Sequence, residues 1–464
     1  MNKEEKLADY ALDPKKRKKE LGDKFRKYGT DRPEDKFRSE YRRDLDRIIW
    51  STAFRRMQNK TQVFAHDEDD HFRRRLTHSI EVAGIACSIA RRLNLNEEAT
   101  DAIAMGHDIG HPPFGHAGED ALNEISKEYV LPRNVNQPIP IIGFDHCAHA
   151  IEVISRIETL NGTNPGLGLT FDVEDGILKH IYHKDNTTRT GKEIEDKPFS
   201  ALSEIVECEK YKDYKCNYGS LEAQCVWIAD KLTYLFEDVE DAIRAKIFRF
   251  DIKDPNSNIV QCAKESKLHT ALDAVLKARY DMSDLCQKAE SIQKYYHDDE
   301  IRPFHFWRNK AMTAIIYNCV ENTKKRIAEI HSVEDVFKCS ERLVDVSKDL
   351  ADAWRGTKDN KNDFYDKAMK NILFKHRIVL RHTYNAKQKI RRLFEVYSSK
   401  DGYDLIPADY KEITEKNYDF CKDIKATHVK DGKEIDVIKI INIRNYIAGM
   451  TDAYINRMLQ EYIT

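Results

Sequence analysis

The sequence lacks the features that mark secreted and membrane proteins. Its ten cysteines are scattered through 464 residues, and no two of them form a Cys-x-x-Cys pair. This spacing argues against a disulfide framework or a zinc knuckle and favours reduced, mostly buried thiols. Residues 1–6 lead into no apolar stretch, and no later run approaches the length that a bilayer requires. We therefore expect a cytoplasmic protein with no membrane partner.

A strong imbalance of charge is also missing. The 77 basic and 79 acidic side chains leave a net charge of only −2, although 34% of the residues are charged. This balance argues against a general polyanion binder. Two local basic runs remain, at residues 15–19 and 73–75. The first predicts a charged, solvated arm over residues 1–35 with a short helix at most. It is the only support for contact with single-stranded nucleic acid.

Helical periodicity dominates the rest of the chain. Apolar residues recur at steps of three and four over residues 37–57, 74–93 and 220–247, whereas short alternating runs occur near residues 425–441. Residues 74–93 carry apolar side chains around most of the helix, which predicts central burial. We therefore predict an all-α fold with one small β-hairpin as its only candidate sheet. A helical core would cover residues 36–250, and a helical C-terminal region at 251–464 would serve packing and oligomerisation.

One stretch, residues 106–119, has a composition that a core helix does not normally carry. It reads GHDIGHPPFGHAGE, with glycine and proline placed between three histidines and two carboxylates. Glycine and proline break helices, and unpaired His, Asp and Glu are costly to bury. Imidazole and carboxylate groups are, however, usual ligands of divalent metals. The stretch predicts a metal site with an acid/base group attached.

Residues elsewhere complete a candidate ligand set. His78 lies in the first turns of a helix that is predicted to be buried, and Asp230 falls on the apolar stripe of another helix. A carboxylate on a core face needs a cation or a hydrogen-bond partner. Adjacent His107 and Asp108 can reach the same ion only at a helix end or with distortion, and the following glycine and proline supply such an end. Two His and two Asp suit Mg²⁺, Mn²⁺, Fe or Zn²⁺ and leave coordination positions open. The alternative is ordinary polar residues at a helix end.

In this order the residues resemble a known signature. The pattern of His78, then His107-Asp108, then Asp230 looks like that of the HD-domain metal-dependent phosphohydrolases. Within them, the sequence most resembles the bacterial deoxyguanosinetriphosphate triphosphohydrolases and related deoxynucleoside triphosphate (dNTP) triphosphohydrolases. The matching segments, spread over residues 36–245, are RSEYRRDLDRII at 38–49, FRR at 54–56, KTQVF at 60–64, RLTHS at 75–79, HDIGHPPFGH at 107–116 and ADKLTY at 229–234.

The resemblance implies an HD-domain core that hydrolyses a dNTP, with dGTP favoured, at the α-phosphorus. The products would be a deoxynucleoside and intact tripolyphosphate. A divalent metal ion would be held by His78, His107, Asp108 and Asp230. Related enzymes assemble as homo-oligomers, so a tetramer or hexamer is expected, and some need a second, allosteric dNTP.

The resemblance also assigns the remaining site residues. His116 would exchange a proton with the substrate, and Glu119 would orient it through the other ring nitrogen. Phosphate contacts would come from Arg75, His111, His146 and Lys231, and sugar contacts from Gln62, Tyr234 and Asp238. Tyr234 and Asp238 follow Asp230 by one and two helical turns and share its face. A second histidine pair, His180 and His183, is interpreted as structural or surface.

Two other functions stay open at this point. The chain is alternatively an HD phosphohydrolase of another nucleotide, such as a monophosphate or guanosine tetraphosphate. A second alternative is a nucleotide-sensing or single-strand nucleic-acid-binding protein whose metal site is vestigial. The basic arm supports that alternative, whereas the complete ligand set argues against it.

Overall fold

The structure is a computed structural model, and it describes residues 6–26, 37–64, 72–128, 143–160, 164–179, 218–251, 254, 257–296, 299–356, 363–408, 410–412, 427–430 and 433–463. His180 and His183 lie outside the described residues. Every other residue assigned above to the metal, proton-transfer or substrate groups lies within them.

Helices account for most of the regular structure, which confirms the all-α prediction. The helices before residue 250 are α1 (Pro14–Leu21), α2 (Glu40–Trp50), α3 (Thr52–Arg56), α4 (Arg75–Arg92), α5 (Glu97–Gly106), α6 (Gly115–Glu128), α7 (His146–Glu152), α8 (Phe171–Lys179) and α9 (Leu221–Arg244). Those after it are α10 (Asn258–Glu265), α11 (Leu268–Lys277), α12 (Met282–Tyr295), α13 (Ile301–Arg326), α14 (Val333–Lys338), α15 (Lys348–Arg355), α16 (Arg377–Ser398), α17 (Val437–Ala448) and α18 (Asp452–Ile463). Single 3₁₀ turns occur at Gly22–Lys24, Met57–Asn59 and Gly402–Leu405, and π-helical segments at Val153–Ile157 and Tyr365–Leu373.

Two short antiparallel pairs interrupt the helices. β1 (Thr159–Leu160) pairs with β2 (Asn164–Pro165), and β3 (Thr427–Lys430) pairs with β4 (Lys433–Asp436). The second pair is the hairpin that the alternating runs predict, although the chain becomes helical again at Val437. Two helices follow the hairpin, since α17 ends at Ala448 and α18 starts at Asp452.

The centre of the molecule is formed by α4, α5 and α9, with α2 and α8 packed against α5. Asn96 caps α5 by accepting from the Ala99 amide, and Ser220 caps α9 in the same way through the Ala223 amide. Helix α9 is buried along nearly its whole length, so it carries Asp230 into the core. The predicted burial of α4 on most sides is wrong for one face, because Ile80 is 51% exposed.

The N-terminal segment is not a solvated arm. Asp13 caps α1, and four lysines of the basic run face solvent, as expected. Arg17, however, points inward, is buried and lies 2.9 Å from the Asp172 carboxylate. Leu12, which precedes α1 in the chain, and Phe25, which follows it, are also buried. The prediction is wrong for these residues because only one face of the helix is solvated, and the opposite face packs on the core.

Apolar residues on both sides of the predicted boundary at residue 250 share one cluster, which extends from Ala11 to Val379. A second cluster joins α6 to α16, α17 and α18. The C-terminal helices therefore pack directly on the helix that begins inside the histidine-rich stretch. Within the described ranges, no helix combines the length and the apolar character needed to cross a bilayer.

Candidate active site

The histidine-rich stretch forms the turn between α5 and α6. Helix α5 ends at Gly106, the chain turns through residues 107–114, and α6 starts at Gly115. Gly115 has a φ of +56°, and a Cβ there would lie 2.9 Å from Nη2 of Arg75. At Gly110 a Cβ would collide with the carbonyl oxygen of His146. Glycine at these two positions lets the turn press against the start of α4 on one side and α7 on the other.

The first cluster of candidate ligands consists of His78, His107 and Asp230, whose ligand atoms all lie within 4.8 Å of one another. Nε2 of His78 is 3.2 Å from Oδ1 of Asp230, and Nε2 of His107 is 3.8 Å from the same oxygen. His107 donates from Nδ1 to the carbonyl oxygen of Ala104 at 2.6 Å, so its Nε2 is the nitrogen that faces the carboxylates. α4, the end of α5 and α9 each supply one member.

Asp108 lies beside this cluster and is held by a cation. Its Oδ2 accepts from Nη1 of Arg75 at 2.7 Å, while its Oδ1 lies 3.5 Å from Nε2 of His107. Burial would raise the pKa of Asp108, but His107, His111 and Arg75 hold it well below the usual range. Lys231 and His78 likewise outweigh burial and hold the pKa of Asp230 well below its usual range. Both carboxylates are therefore anionic.

The donor chemistry of these four residues fits the divalent metal ion that the resemblance implies. Two imidazoles and two ionised carboxylates, all buried, converge from three helices. Buried anions need a cation, and nitrogen with carboxylate oxygen is a ligand set that Mg²⁺, Mn²⁺, Fe and Zn²⁺ accept. The residues that would hold the ion are therefore His78, His107, Asp108 and Asp230.

Glu237 braces the first cluster, and we did not predict it from the sequence. Nδ1 of His78 donates to Oε2 of Glu237 at 2.8 Å. Arg73 reaches the other oxygen of Glu237 at 3.3 Å from its Nε. Metal-binding histidines commonly donate their second ring N–H to a carboxylate, which fixes the orientation of the ring. The signal was present, since Glu237 follows Asp230 by two helical turns on α9.

The second cluster consists of His111, His116, Glu119 and His146. Oε2 of Glu119 lies 3.0 Å from Nδ1 of His116, and Oε1 lies 2.7 Å from Nδ1 of His146. The rings of His111 and His146 stack with their centroids 3.8 Å apart. Burial would raise the pKa of Glu119, but the two histidines hold it well below the usual range. One anionic carboxylate thus orients two imidazoles, whereas the resemblance paired it with His116 alone.

Several predicted substrate contacts have buried polar atoms without a partner among the described residues. These atoms are Nε and Nη2 of Arg75, which is fully buried, and both amide atoms of Gln62. A buried polar group without a partner costs about 1–3 kcal/mol, so such groups favour a ligand-binding role. Gln62 and Arg75 both border Gly115, where an added Cβ would come within 3.0 Å of the Gln62 carbonyl oxygen and 2.9 Å of Nη2 of Arg75.

The other predicted substrate residues surround the first cluster. Nζ of Lys231 lies 3.2 Å from Oδ2 of Asp230, and the ring of Tyr234 packs 4.8 Å from that of His78. Burial, reinforced by Asp108 and Asp230, raises the pKa of Tyr234 well above its usual range, so its hydroxyl stays protonated. Asp238 is buried one turn further along α9.

Two contacts from the C-terminal helices hold the site loops, and no motif pointed to them. Asp452 accepts from the backbone amides of Thr61 and Phe114, both at 2.9 Å, and from the Thr61 hydroxyl. Lys60 donates to the carbonyl oxygens of His111 at 2.6 Å and Ala448 at 3.0 Å. Burial lowers the pKa of Lys60 to about 7. The bonds to Ala448 and Asp452 join segments 338 to 391 residues apart, so local sequence patterns do not indicate them.

The fold and the first cluster together define an HD domain, and residues 75–265 match the HD domain family. The chain is 31% identical to the deoxyguanosinetriphosphate triphosphohydrolase-like protein of Rickettsia felis over 458 residues, 98% of this chain and 97% of that protein. The proteins of the same name from Rickettsia prowazekii, with 98% and 97% covered, and Bartonella tribocorum, with 92% and 88% covered, are also 31% identical.

The chain therefore belongs to the family of deoxyguanosinetriphosphate triphosphohydrolase-like proteins, which confirms the resemblance stated above. It is an HD-domain phosphohydrolase, and its near-full-length similarity to these proteins includes the C-terminal helices.

Proposed function

We propose that the protein hydrolyses dNTPs, with dGTP favoured, at the α-phosphorus to a deoxynucleoside and tripolyphosphate. The observation that carries the proposal is the adjacency of a buried cluster suited to a metal ion and a partly buried cluster suited to proton transfer. They meet where Nε2 of His111 lies 3.3 Å from Oδ1 of Asp108. The name shared by the relatives favours a deoxynucleoside triphosphate over a monophosphate or guanosine tetraphosphate.

In the reaction, a water oxygen forms a bond to the α-phosphorus, and the bond from phosphorus to the 5′ oxygen breaks. The water loses a proton and the leaving 5′ oxygen gains one, so protons balance. Glu119 accepts from Nδ1 of His116, and Nε2 of the same ring would exchange the proton. A divalent ion held by His78, His107, Asp108 and Asp230 would supply a Lewis acid that polarises the phosphate.

Substrate binding in this proposal rests on buried cations and polar groups. Arg75 carries an Nε and an Nη2 without partners among the described residues, and these suit phosphate oxygens. Lys231 and the imidazoles of His111 and His146 would add further phosphate contacts, and Gln62, Tyr234 and Asp238 would contact the deoxyribose. With Tyr234 beneath the sugar, little room would be left for a 2′ hydroxyl, which favours deoxynucleotides.

The test is product analysis. Metal-free protein is incubated with each of the four dNTPs, singly and in pairs, in Mg²⁺, Mn²⁺, Fe²⁺ or Zn²⁺, and the products are separated by ion-exchange chromatography. Tripolyphosphate and deoxynucleoside are expected, whereas orthophosphate or pyrophosphate would overturn the proposal. GTP serves as the matched control for the 2′ hydroxyl. Faster turnover in pairs would support an activating second dNTP, and mass photometry tests the expected tetramer or hexamer.

A further inference from the structure

The proton-transfer pair, His116 and Glu119, belongs to a larger set of side chains that can bind a metal ion. Four side chains, those of His111, His116, Glu119 and His146, each offer one ligand atom, and these atoms lie within 4.8 Å of one another. None of the four belongs to the set of His78, His107, Asp108 and Asp230. We propose that these four side chains form a second metal site, selective for an ion of the zinc class, beside the first.

The donor types and their burial match such an ion. Three imidazoles and one carboxylate supply four protein ligands, the number that Zn²⁺ takes in tetrahedral sites with nitrogen and oxygen donors. Nδ1 of His116 and Nδ1 of His146 lie 3.0 and 2.7 Å from the Glu119 oxygens, so a metal ion bound there would replace the protons that these nitrogens donate to the carboxylate. Mg²⁺ prefers oxygen ligands and retains water, so a set with three nitrogens disfavours it.

A separate observation at His111 also points to a ligand. The side chain is 1% exposed, and its Nδ1 has no hydrogen-bond partner among the described residues. Its Nε2 is already directed at Asp108, 3.3 Å away. Nδ1 is therefore the ring nitrogen left for the second cluster. A buried nitrogen without a partner is costly, and a metal ion would remove that cost.

Metal binding at the second cluster would affect activity, and this expectation rests on the proposed function. A metal ion bound to Nδ1 of His116 and to Glu119 would replace the hydrogen bond by which Glu119 orients the His116 ring. Zinc in the second site should therefore inhibit, while the first site keeps its own ion. The binding measurement below does not depend on turnover, so the two proposals can fail separately.

The experiment is zinc binding to the full-length, metal-free chain. After gel filtration in excess Zn²⁺, mass spectrometry of the metal should find two zinc ions per wild-type chain. His146→Gln and His116→Gln should each retain one zinc ion. Asp230→Asn should retain the ion of the second site, and its X-ray absorption spectrum should show mostly histidine ligands. His269→Gln, a change at an exposed histidine on α11, is the matched control and should retain two.

One zinc ion per wild-type chain would overturn the proposal, and so would two in both His116→Gln and His146→Gln. Circular dichroism identifies a variant that fails to fold, and His116 is 29% exposed, so its substitution is the safer of the two. If zinc binds as expected but dNTPs are not hydrolysed, only the proposed function fails. If hydrolysis occurs without a second zinc ion, only the second site fails.

Discussion

At the scale of single residues, Glu119 has the most demanding position in the site. Its two oxygens accept from His116 and His146, and the His146 backbone amide donates to it as well, at 3.1 Å. The carboxylate thereby fixes which nitrogen of each ring carries the proton. For His116 this leaves one nitrogen able to gain or lose a proton, which is the arrangement that general acid–base catalysis requires.

Replacing His116 by alanine should remove that proton exchange without removing the phosphate contacts. We expect kcat for dGTP to fall by roughly 10²–10⁴-fold, the usual contribution of a positioned acid or base. The Kd for dGTP, measured by calorimetry with the divalent ion present, should change little. Unchanged turnover in His116→Ala would contradict the acid/base assignment.

Glu237 acts at the same scale but through another residue. Replacing it by glutamine removes the carboxyl group that orients His78, so the affinity of the first site for Mn²⁺ should fall about 10–100-fold. Titration of metal-free protein measures this directly. Glu81→Gln is the matched control, since Glu81 also contacts Arg73, at 3.5 Å, but has a side chain that is 46% exposed. Equal affinities in the two variants would show that Glu237 does not position His78.

At the scale of elements, the start of α18 anchors two segments that line the site. Asp452 joins the loop before α4, through Thr61, to the turn before α6, through Phe114. Phe114 has a φ of +60°, a conformation that side-chain-bearing residues rarely adopt. The hydrogen bond from its amide to Asp452 stabilises this conformation next to Gly115.

Asp452→Ala would leave three partly buried donors, the Thr61 amide, the Thr61 hydroxyl and the Phe114 amide, without their acceptor. Because each typically costs about 1 kcal/mol or more, we expect unfolding by urea to show a loss on the order of 3 kcal/mol. KM for dGTP should rise more than kcat falls, since Gln62 and Gly115 lie next to the released donors. Glu461→Gln, on an exposed position of the same helix, should change neither quantity. A KM equal to that of the wild type would refute the anchoring role.

At the scale of the whole molecule, Glu222 joins three segments. Its Oε1 accepts from the amides of Leu12 at 2.9 Å and Asn96 at 3.1 Å, so α9 holds both the N-terminal segment and the start of α5. The side chain is fully buried, and burial raises its pKa from 4.5 to about 7. The folded protein therefore keeps this proton at pH values where the unfolded chain has lost it.

The sign of the resulting pH dependence follows from linkage. The contribution of Glu222 is fully present below pH 4.5 and is lost as the pH rises through about 7. Glu222→Gln cannot ionise and still accepts from both amides. We expect it to be more stable than the wild type at pH 8, by on the order of 3 kcal/mol, with a much smaller difference near pH 4.5. The free energy of unfolding of both proteins is measured with urea at pH 4.5 and pH 8. The same difference between Glu222→Gln and the wild type at both pH values would contradict this expectation.

The candidate site could be predicted where its residues are close in sequence. His107 with Asp108, His116 with Glu119, and Asp230 with Tyr234 lie within one turn of helix or loop, so their spacing places them together. Asp452 could not be found, because a hydrogen bond to a residue 338 positions away leaves no local pattern. The buried face of α1 was missed because its charged residues outnumber its apolar ones. Ile80 shows the opposite error, an apolar residue that faces solvent.

The Asp452 contact also orders events during synthesis. The candidate metal ligands, of which His78 is the first and Asp230 the last, leave the ribosome while roughly half of the chain has still to be synthesised. The loop at Thr61 and the turn at Phe114 gain their shared acceptor only after residue 452 has been translated. Domains generally begin to fold during synthesis, at about 5–20 residues per second. For roughly 10–45 seconds, a nascent chain would thus contain all four candidate metal ligands but not yet Asp452, the acceptor that holds the two site segments. The anchoring of both segments is thereby tied to the synthesis of Asp452 at the start of α18.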